Sequence, residues 1–129
     1  LGDVAIDEDD HERWAARRAR QRSADGIVVK VSGRPTDLPA VIRAARDAGG
    51  SVISRAAVGL SWIALPDGAN IGALRQALAP RACTVLDGAD HVRDPWPAVD
   101  PGALTVMQRI KERFDPAGAF KPGAFVGGL

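Results

Sequence analysis

Apolar and polar positions from Ile27 onward follow strand periodicity in four places. Residues Ile27–Ser32 form a β-branched run bounded by glycines, which predicts a strand. Two more strand-like runs, Ser51–Ala57 and Leu60–Leu65, are separated by Val58-Gly59 and predict a hairpin. A fourth run, Cys83–Leu86, predicts the last strand.

Helical spacing of apolar residues marks two segments between these strands. The first runs to about Ala48, with Thr36 as the expected N-cap and Gly49-Gly50 as its end. The second spans about Asn70–Ala79 and is followed by Pro80. The residues expected to face the core are Leu38, Val41, Ile42, Ala45 and Ala48 in the first helix and Ile71, Leu74, Ala77 and Leu78 in the second.

The order strand, helix, strand, strand, helix, strand predicts an α+β fold of the ferredoxin-like βαββαβ type. Its antiparallel sheet carries both helices on one face. We place this domain at residues 27–129 and treat residues 1–26, acidic and then rich in arginine, as a connector with a helix-forming basic tract.

After the fourth strand the chain changes character. Three prolines, Pro95, Pro97 and Pro101, disfavour a helix interior, and a last amphipathic helix is predicted at about Ala103–Phe114. The residues expected to share one face of this helix are Leu104, Met107, Ile110, Lys111 and Phe114. The tail Asp115–Gly123 holds two prolines and two glycines, so it predicts a stiff, turn-rich peptide whose shape serves contact with something else.

Composition narrows the class of protein. The 129 residues, 46% hydrophobic and 26% charged, fit one domain with a real core. A net charge of +1 gives no long-range field to attract nucleic acid or anionic lipid. A single cysteine, Cys83, excludes an intramolecular disulfide, and two histidines are few for a metal centre, so we predict no metal site. Without a long apolar run or signal peptide, we expect a cytoplasmic protein, and the start at Leu1 suggests a C-terminal piece of a longer chain.

Few residues are candidates for catalysis or ligand binding, and each of them could instead be a packing or surface residue. No glycine loop for phosphate and no nucleophile turn is present, and we assign no catalytic residue. Trp62 is either half-buried packing or a stacking platform, and Arg55 faces either a partner domain or solvent. His91 is either a base or a surface residue, while Cys83 is expected to pack as a small apolar side chain.

The C-terminal stretch MQRIKERFDPAGAFKPG resembles the closing helix and turn of the vanillyl-alcohol-oxidase-type FAD-linked oxidase family. The matching positions are Lys111, Phe114, Asp115, Pro116, Gly118, Pro122 and Gly123. The stretches WAARRARQRSADGIVVKVSGRPTDL and DPWP resemble the members that oxidise small 2-hydroxy acids such as glycolate. The resemblance covers the chain from Trp14 to Leu129.

This resemblance implies a C-terminal cap, or substrate, domain that covers a flavin and shapes the substrate pocket. FAD would be held mainly by a preceding FAD-binding domain of the same parent chain, so the 129 residues alone should be catalytically silent. Further oxidase subunits are possible partners, whereas nucleic acid and membrane insertion are not expected. The implied cofactor contacts are Lys121, Pro122 and Gly123, and the substrate-pocket candidates are Arg55, Trp62 and His91.

The sequence departs from the family pattern at two tail positions. The family has an Asn where Lys121 stands and often an Arg at Ala124. An amide donates and accepts hydrogen bonds, whereas an ammonium only donates. Two other classes stay open: a ferredoxin-like small-ligand-binding or subunit-docking module without redox activity, and a structural subunit of an oxidase. A yellow chromophore in the full-length protein would distinguish the flavoenzyme cap from the module without redox activity.

Overall fold

The fold is a four-stranded sheet with helices, and the computed structural model describes residues 9–88, 92 and 94–129. The elements in chain order are α1 (His11–Ala19), β1 (Ile27–Ser32), α2 (Leu38–Asp47), β2 (Ser51–Arg55), β3 (Leu60–Leu65), α3 (Ile71–Leu78), β4 (Ala82–Asp87) and α4 (Pro101–Phe114). His91, one of the substrate-pocket candidates, lies outside the described residues.

The strands lie in the order β2-β3-β1-β4, and every neighbouring pair is antiparallel. This arrangement confirms the predicted α+β class and is compatible with the ferredoxin-like fold. The register places Trp62 of β3 between Ile53 of β2 and Lys30 of β1. Because directly paired residues share one face of a sheet, this register decides which side chains meet there.

One face of the sheet is buried and carries the core. β3 alternates strictly, with Ser61, Ile63 and Leu65 buried and the residues between them half-buried. The core cluster combines this face with α2 and α3: Ile27, Val29, Val31, Val41, Ala44, Ala45, Ile63, Leu65, Ile71, Leu74, Leu78, Cys83 and Val85. Cys83 is 1% exposed and packs there as predicted. The two helices therefore cover the same face, and the other two described helices, α1 and α4, contribute no buried residue.

The sequence placed two residues of these helices wrongly. Ile42 was expected in the core but is 40% exposed, and Ala77 is also exposed. Ile42 lies in a groove with Val52 and Ser54 of β2. β2 is an edge strand of the described sheet, so no further strand of that sheet lies under this flank of the helix. The prediction was therefore correct for Val41 and Ala45, but the buried face of α2 is narrower than predicted and does not include Ile42.

The start of α2 is organised by Asp37 rather than by Thr36. The chain first makes a short 3₁₀ turn at Pro35–Asp37, and the Asp37 carboxylate accepts the backbone N–H of Arg34 (2.8 Å) and a bond from Arg81 Nη2 (2.8 Å). The hydrogen bond from Arg81, followed by that from Arg34, lowers the pKa of Asp37 to about 2. Thr36 is exposed and makes no capping bond. Asp37 therefore fixes the start of α2 and, through Arg81, also links it to the residue just before β4.

Two connections also differ from the predicted ones. β2 ends at Arg55, and a 3₁₀ turn, Ala56–Val58, with Gly59 at φ 66° replaces the expected two-residue hairpin loop. α4 begins at Pro101, because Pro at the first helical position needs no N–H partner and the Asp100 side chain caps the helix through the Ala103 N–H.

The N-terminal helix α1 lies outside the core, since none of its residues is buried. Its Trp14 indole N–H donates to Asp10. After the helix, Arg22 binds the Asp87 carboxylate at the end of β4 through both Nε and Nη2. None of the described helices is long and apolar enough to cross a membrane.

The core placement can be tested with a matched pair of substitutions. Leu74→Ala removes a side chain that is 3% exposed, and we expect it to lower the free energy of unfolding by about 2–5 kcal/mol. Ile42→Ala, on the exposed flank of α2, should cost less than about 1 kcal/mol. Urea unfolding followed by circular dichroism measures both, and equal losses would contradict the described packing.

Candidate functional site

The face of the sheet opposite the helices carries the first group of candidate residues. We call it the open sheet face and define it by Lys30, Ile53, Arg55, Trp62 and Thr84. Trp62, Lys30 and Thr84 lie side by side on β3, β1 and β4, and all three are half-buried. The guanidinium carbon of Arg55 lies 5.5 Å from the centroid of the Trp62 ring, a cation–π distance. The structure thus brings together two residues that the sequence had singled out separately.

The charges on this face are unbalanced. Neither Lys30 nor Arg55 makes an ion pair within the described residues. Asp87, cross-strand from Val28, is already engaged by Arg22 and by the Ser23 backbone N–H (2.9 Å). These bonds, that from Arg22 foremost, lower the pKa of Asp87, so it stays a carboxylate committed to Arg22. Two cations therefore surround an indole with no free carboxylate of the described chain beside them.

The tail, residues 115–129, forms a second surface that is organised by one carboxylate. Asp115 accepts hydrogen bonds from Lys111 Nζ (2.7 Å) and from the backbone N–H groups of Ala119 (2.7 Å) and Phe120 (3.1 Å). Lys111 also donates to the Phe120 carbonyl oxygen (3.2 Å). The Asp115 side chain is 7% exposed, and the Lys111 bond is the main cause of its lowered pKa. Lys111 stands four residues before Asp115, the aspartate of the FDPAG motif, and their ion pair helps to close the chain into a fixed turn.

The surface around this turn is apolar and uncovered. We call it the tail surface and define it by Met107, Ile110, Phe114, Phe120 and Phe125. Phe114 is 78% exposed, Phe120 73% and Ile110 53%, and α4 has no buried residue. A groove of about 460 Å³ runs between α4 and the tail, lined by Met107, Ile110, Lys121 and Phe125 among others. The predicted face of α4 is only partly covered: Leu104 and Met107 are half-buried beside the tail, whereas Ile110 and Phe114 stay exposed.

The DPWP motif attaches this tail to the sheet. The Pro95 carbonyl oxygen accepts the backbone N–H of Val85 in β4 (2.8 Å), and the Trp96 carbonyl accepts Arg75 Nη2 (2.8 Å). The Trp96 ring meets Phe125 edge to face, with centroids 4.7 Å apart. The tail is therefore held at a defined place although little of it is buried.

The predicted cofactor contacts, Lys121, Pro122 and Gly123, are all exposed and lie in the tail. Lys121 has φ 37°, the left-handed region that favours Gly and Asn over other residues. The Asn that the similar family has at this position would therefore fit the positive φ of the backbone, whether or not it contacts a ligand. No described contact joins these residues to Arg55 or Trp62.

Sequence reasoning missed Lys30 and did not foresee the role of Asp115. The signal for Lys30 was a single charge inside the apolar run IVVKVS, and only the register shows that it lies beside Trp62. Within the described residues no group of three or more His, Cys, Asp or Glu side chains is placed to hold a metal ion.

The chain matches no model of a known protein family. Comparisons with curated proteins and with solved structures give no match either. The motifs and the two surfaces described above are therefore the features that point to a function.

The role of Asp115 can be tested with Asp115→Asn. The substitution removes the ion pair with Lys111, and we expect a lower melting temperature and faster amide exchange at Ala119 and Phe120. Because the folded-state pKa of Asp115 lies below the unfolded value of about 3.9, the carboxylate stabilises the fold above that pH. This stabilisation disappears as the pH falls through the folded-state pKa. Glu112→Gln, on the exposed side of α4, is the control, and equal exchange rates in both variants would contradict the assigned role.

Lys121→Asn tests the backbone interpretation of that position. Asn tolerates positive φ better than Lys, so the variant should unfold at slightly higher denaturant concentration, with a gain of about 1 kcal/mol or less. Lys121→Val, β-branched and ill-suited to positive φ, should be destabilised in the same assay. A Val variant as stable as the Asn variant would contradict strain at this position.

Proposed function

We propose that the chain is the cap domain at the C-terminal end of an FAD-dependent oxidoreductase that oxidises a small 2-hydroxy acid such as glycolate. Its motifs are most similar to those of the FAD-binding subunit of glycolate oxidase. In this proposal a preceding domain of the parent chain, in the cytoplasm, holds the FAD, and further oxidase subunits are potential partners. The cap covers the flavin and supplies part of the substrate pocket.

The observation that carries the proposal is the tail surface. Its aromatic side chains are exposed, yet the Asp115 turn and the Trp96–Phe125 contact fix the backbone beneath them. A contiguous exposed apolar patch typically marks a contact with another protein surface. A prearranged turn also loses little entropy on docking. Both features are expected of a tail that packs against a cofactor-holding domain.

The open sheet face supports the second half of the proposal. A cap domain must present side chains to the substrate from a surface that its own core leaves uncovered. Arg55 and Trp62, both singled out as pocket candidates, lie together there. Lys121, Pro122 and Gly123 remain the candidates for contact with the flavin, since they are exposed at the rim of the tail.

The residues present fit a contributory contact to FAD rather than a complete binding site. Lys121 offers an exposed ammonium at the groove, but no glycine loop opens a helix to receive a diphosphate. FAD would supply the two-electron acceptor for the hydroxy acid. The described residues of the chain would then orient the substrate and exclude water from it.

The cofactor can be tested directly on the full-length protein that contains this segment. We expect that protein to be yellow and to oxidise glycolate or a related acid, whereas the 129-residue chain alone should retain no FAD after desalting. Deletion of residues 115–129 should release flavin from the full-length protein. A colourless full-length protein would contradict the proposal.

Docking through the tail surface can also be tested with a variant that leaves the fold intact. Phe114→Ser and Phe120→Ser together remove two exposed side chains, so the melting temperature of the isolated chain should not fall, while flavin retention in the full-length protein should drop. Val58→Ser, which removes an apolar side chain that is 61% exposed elsewhere, is the matched control. Equal flavin retention in the double variant and the control would contradict docking through the tail surface.

A docking module without redox activity is the alternative that the same surface permits. It predicts a colourless protein that loses a partner subunit, rather than flavin, when Phe114 and Phe120 are replaced. The absorbance of the purified full-length protein near the flavin band separates the two.

A further inference from the structure

The open sheet face contains a residue that the proposed function does not use. Lys30 lies on β1, one of the two central strands, directly cross-strand from Trp62. Paired side chains of this kind have Cβ atoms about 5 Å apart. The ammonium group of Lys30, on its four-carbon stem, thus projects from the same face as the Trp62 indole.

Arg55 approaches the same indole from the other side. It lies at the end of the edge strand β2, with its guanidinium over the ring. Since β3 separates β2 from β1, the two cations stand on opposite sides of Trp62. A small anion placed on this face could accept hydrogen bonds from one or both of them.

Neither cation is neutralised by the described chain. Each makes no hydrogen bond or ion pair with the described residues, and Asp87 is held by Arg22. Lys30 is half-buried and Arg55 is exposed. A cation beside an apolar surface without a counter-charge attracts anions more strongly than one free in water. Ile53 and Trp62 provide the apolar surroundings, and Thr84 beside Lys30 adds a hydroxyl group.

We propose that Lys30 and Arg55 form a carboxylate-binding site on the open sheet face, with the Trp62 indole as its wall. The ligand is a small carboxylate whose hydroxyl or apolar body lies against Trp62 and Thr84. The inference rests on the proposed function only in identifying that carboxylate with the substrate. Lys30 is then a substrate-binding residue in its own right, which no motif had indicated.

The site can be tested on the 129-residue chain without flavin. The chain has three tryptophans, so replacing Trp14 and Trp96 by Phe leaves Trp62 as the only indole. Iodide, an anionic quencher, should be concentrated by the two cations, and Lys30→Met should lower its quenching constant at least about twofold. Acrylamide, which is uncharged, should quench both proteins equally. Arg43→Met, which removes one positive charge from the exposed side of α2, is the control and should leave iodide quenching unchanged.

The ligand class is tested by competition. Sodium glycolate should protect Trp62 from iodide, glycolamide should not, and Lys30→Arg should keep most of the protection that Lys30→Met loses. In the unmodified chain, glycolate should shift the NMR signals of the Trp62 indole N–H and of the Lys30 amide, which covers the case that the tryptophan variants do not fold. Equal protection by glycolate and glycolamide, or unshifted signals, would overturn the proposal.

The full-length enzyme separates this inference from the proposed function. We expect Lys30→Met to raise KM for the hydroxy acid about tenfold or more, as loss of a charged hydrogen bond does, with flavin content unchanged. A flavoprotein whose KM is unaffected by Lys30→Met would overturn the carboxylate site alone. A flavin-free protein whose isolated chain still binds glycolate at Trp62 would overturn the proposed function and support the site.

Discussion

Burial of one sheet face under α2 and α3 is the constraint on which the rest of the molecule depends. The two helices and the inward side chains of all four strands share a single core. Once that core is filled, the second face of the antiparallel sheet receives no core helix from the described part of the chain. The register then decides what this face presents, because a shift of one residue would exchange Trp62 and Lys30 for core residues.

The tail is ordered by polar bonds rather than by burial. Asp115 holds Lys111 and two backbone N–H groups, and Trp96 links the tail to the β4 edge, while Val126 is the one buried residue in the tail. An isolated peptide with so few buried side chains would gain little from adopting one conformation. The hydrogen bonds fix its path at low cost, and the aromatic side chains remain available on the outside.

The sequence predicted what depends on local pattern and missed what depends on neighbours. The strands and helices were found because β-branched runs and helical spacing are properties of adjacent residues, as in Ile27–Ser32 and in α3. The predicted burial of Ile42 was wrong, because its exposure depends on β2 being an edge strand, which no local pattern reveals. The grouping of Arg55 and Lys30 around Trp62 depends on the register of three strands. The sequence could therefore single out Arg55 and Trp62 but could not show that they lie together.

The proposed partner domain in the same chain would suit the energetics of the tail surface. Burying a large apolar side chain contributes about 1.5–3 kcal/mol. Phe114 and Phe120 are 78% and 73% exposed, whereas Ile110 and Phe125 are about half exposed, so they would gain less. Association of two free proteins costs an estimated 4–15 kcal/mol in lost freedom, which is comparable to what these four side chains offer. A domain joined by a linker avoids much of that cost, since its effective concentration reaches the millimolar range. For the proposed docking within one polypeptide a surface of this size would be sufficient, whereas it would be marginal for capture of a free subunit.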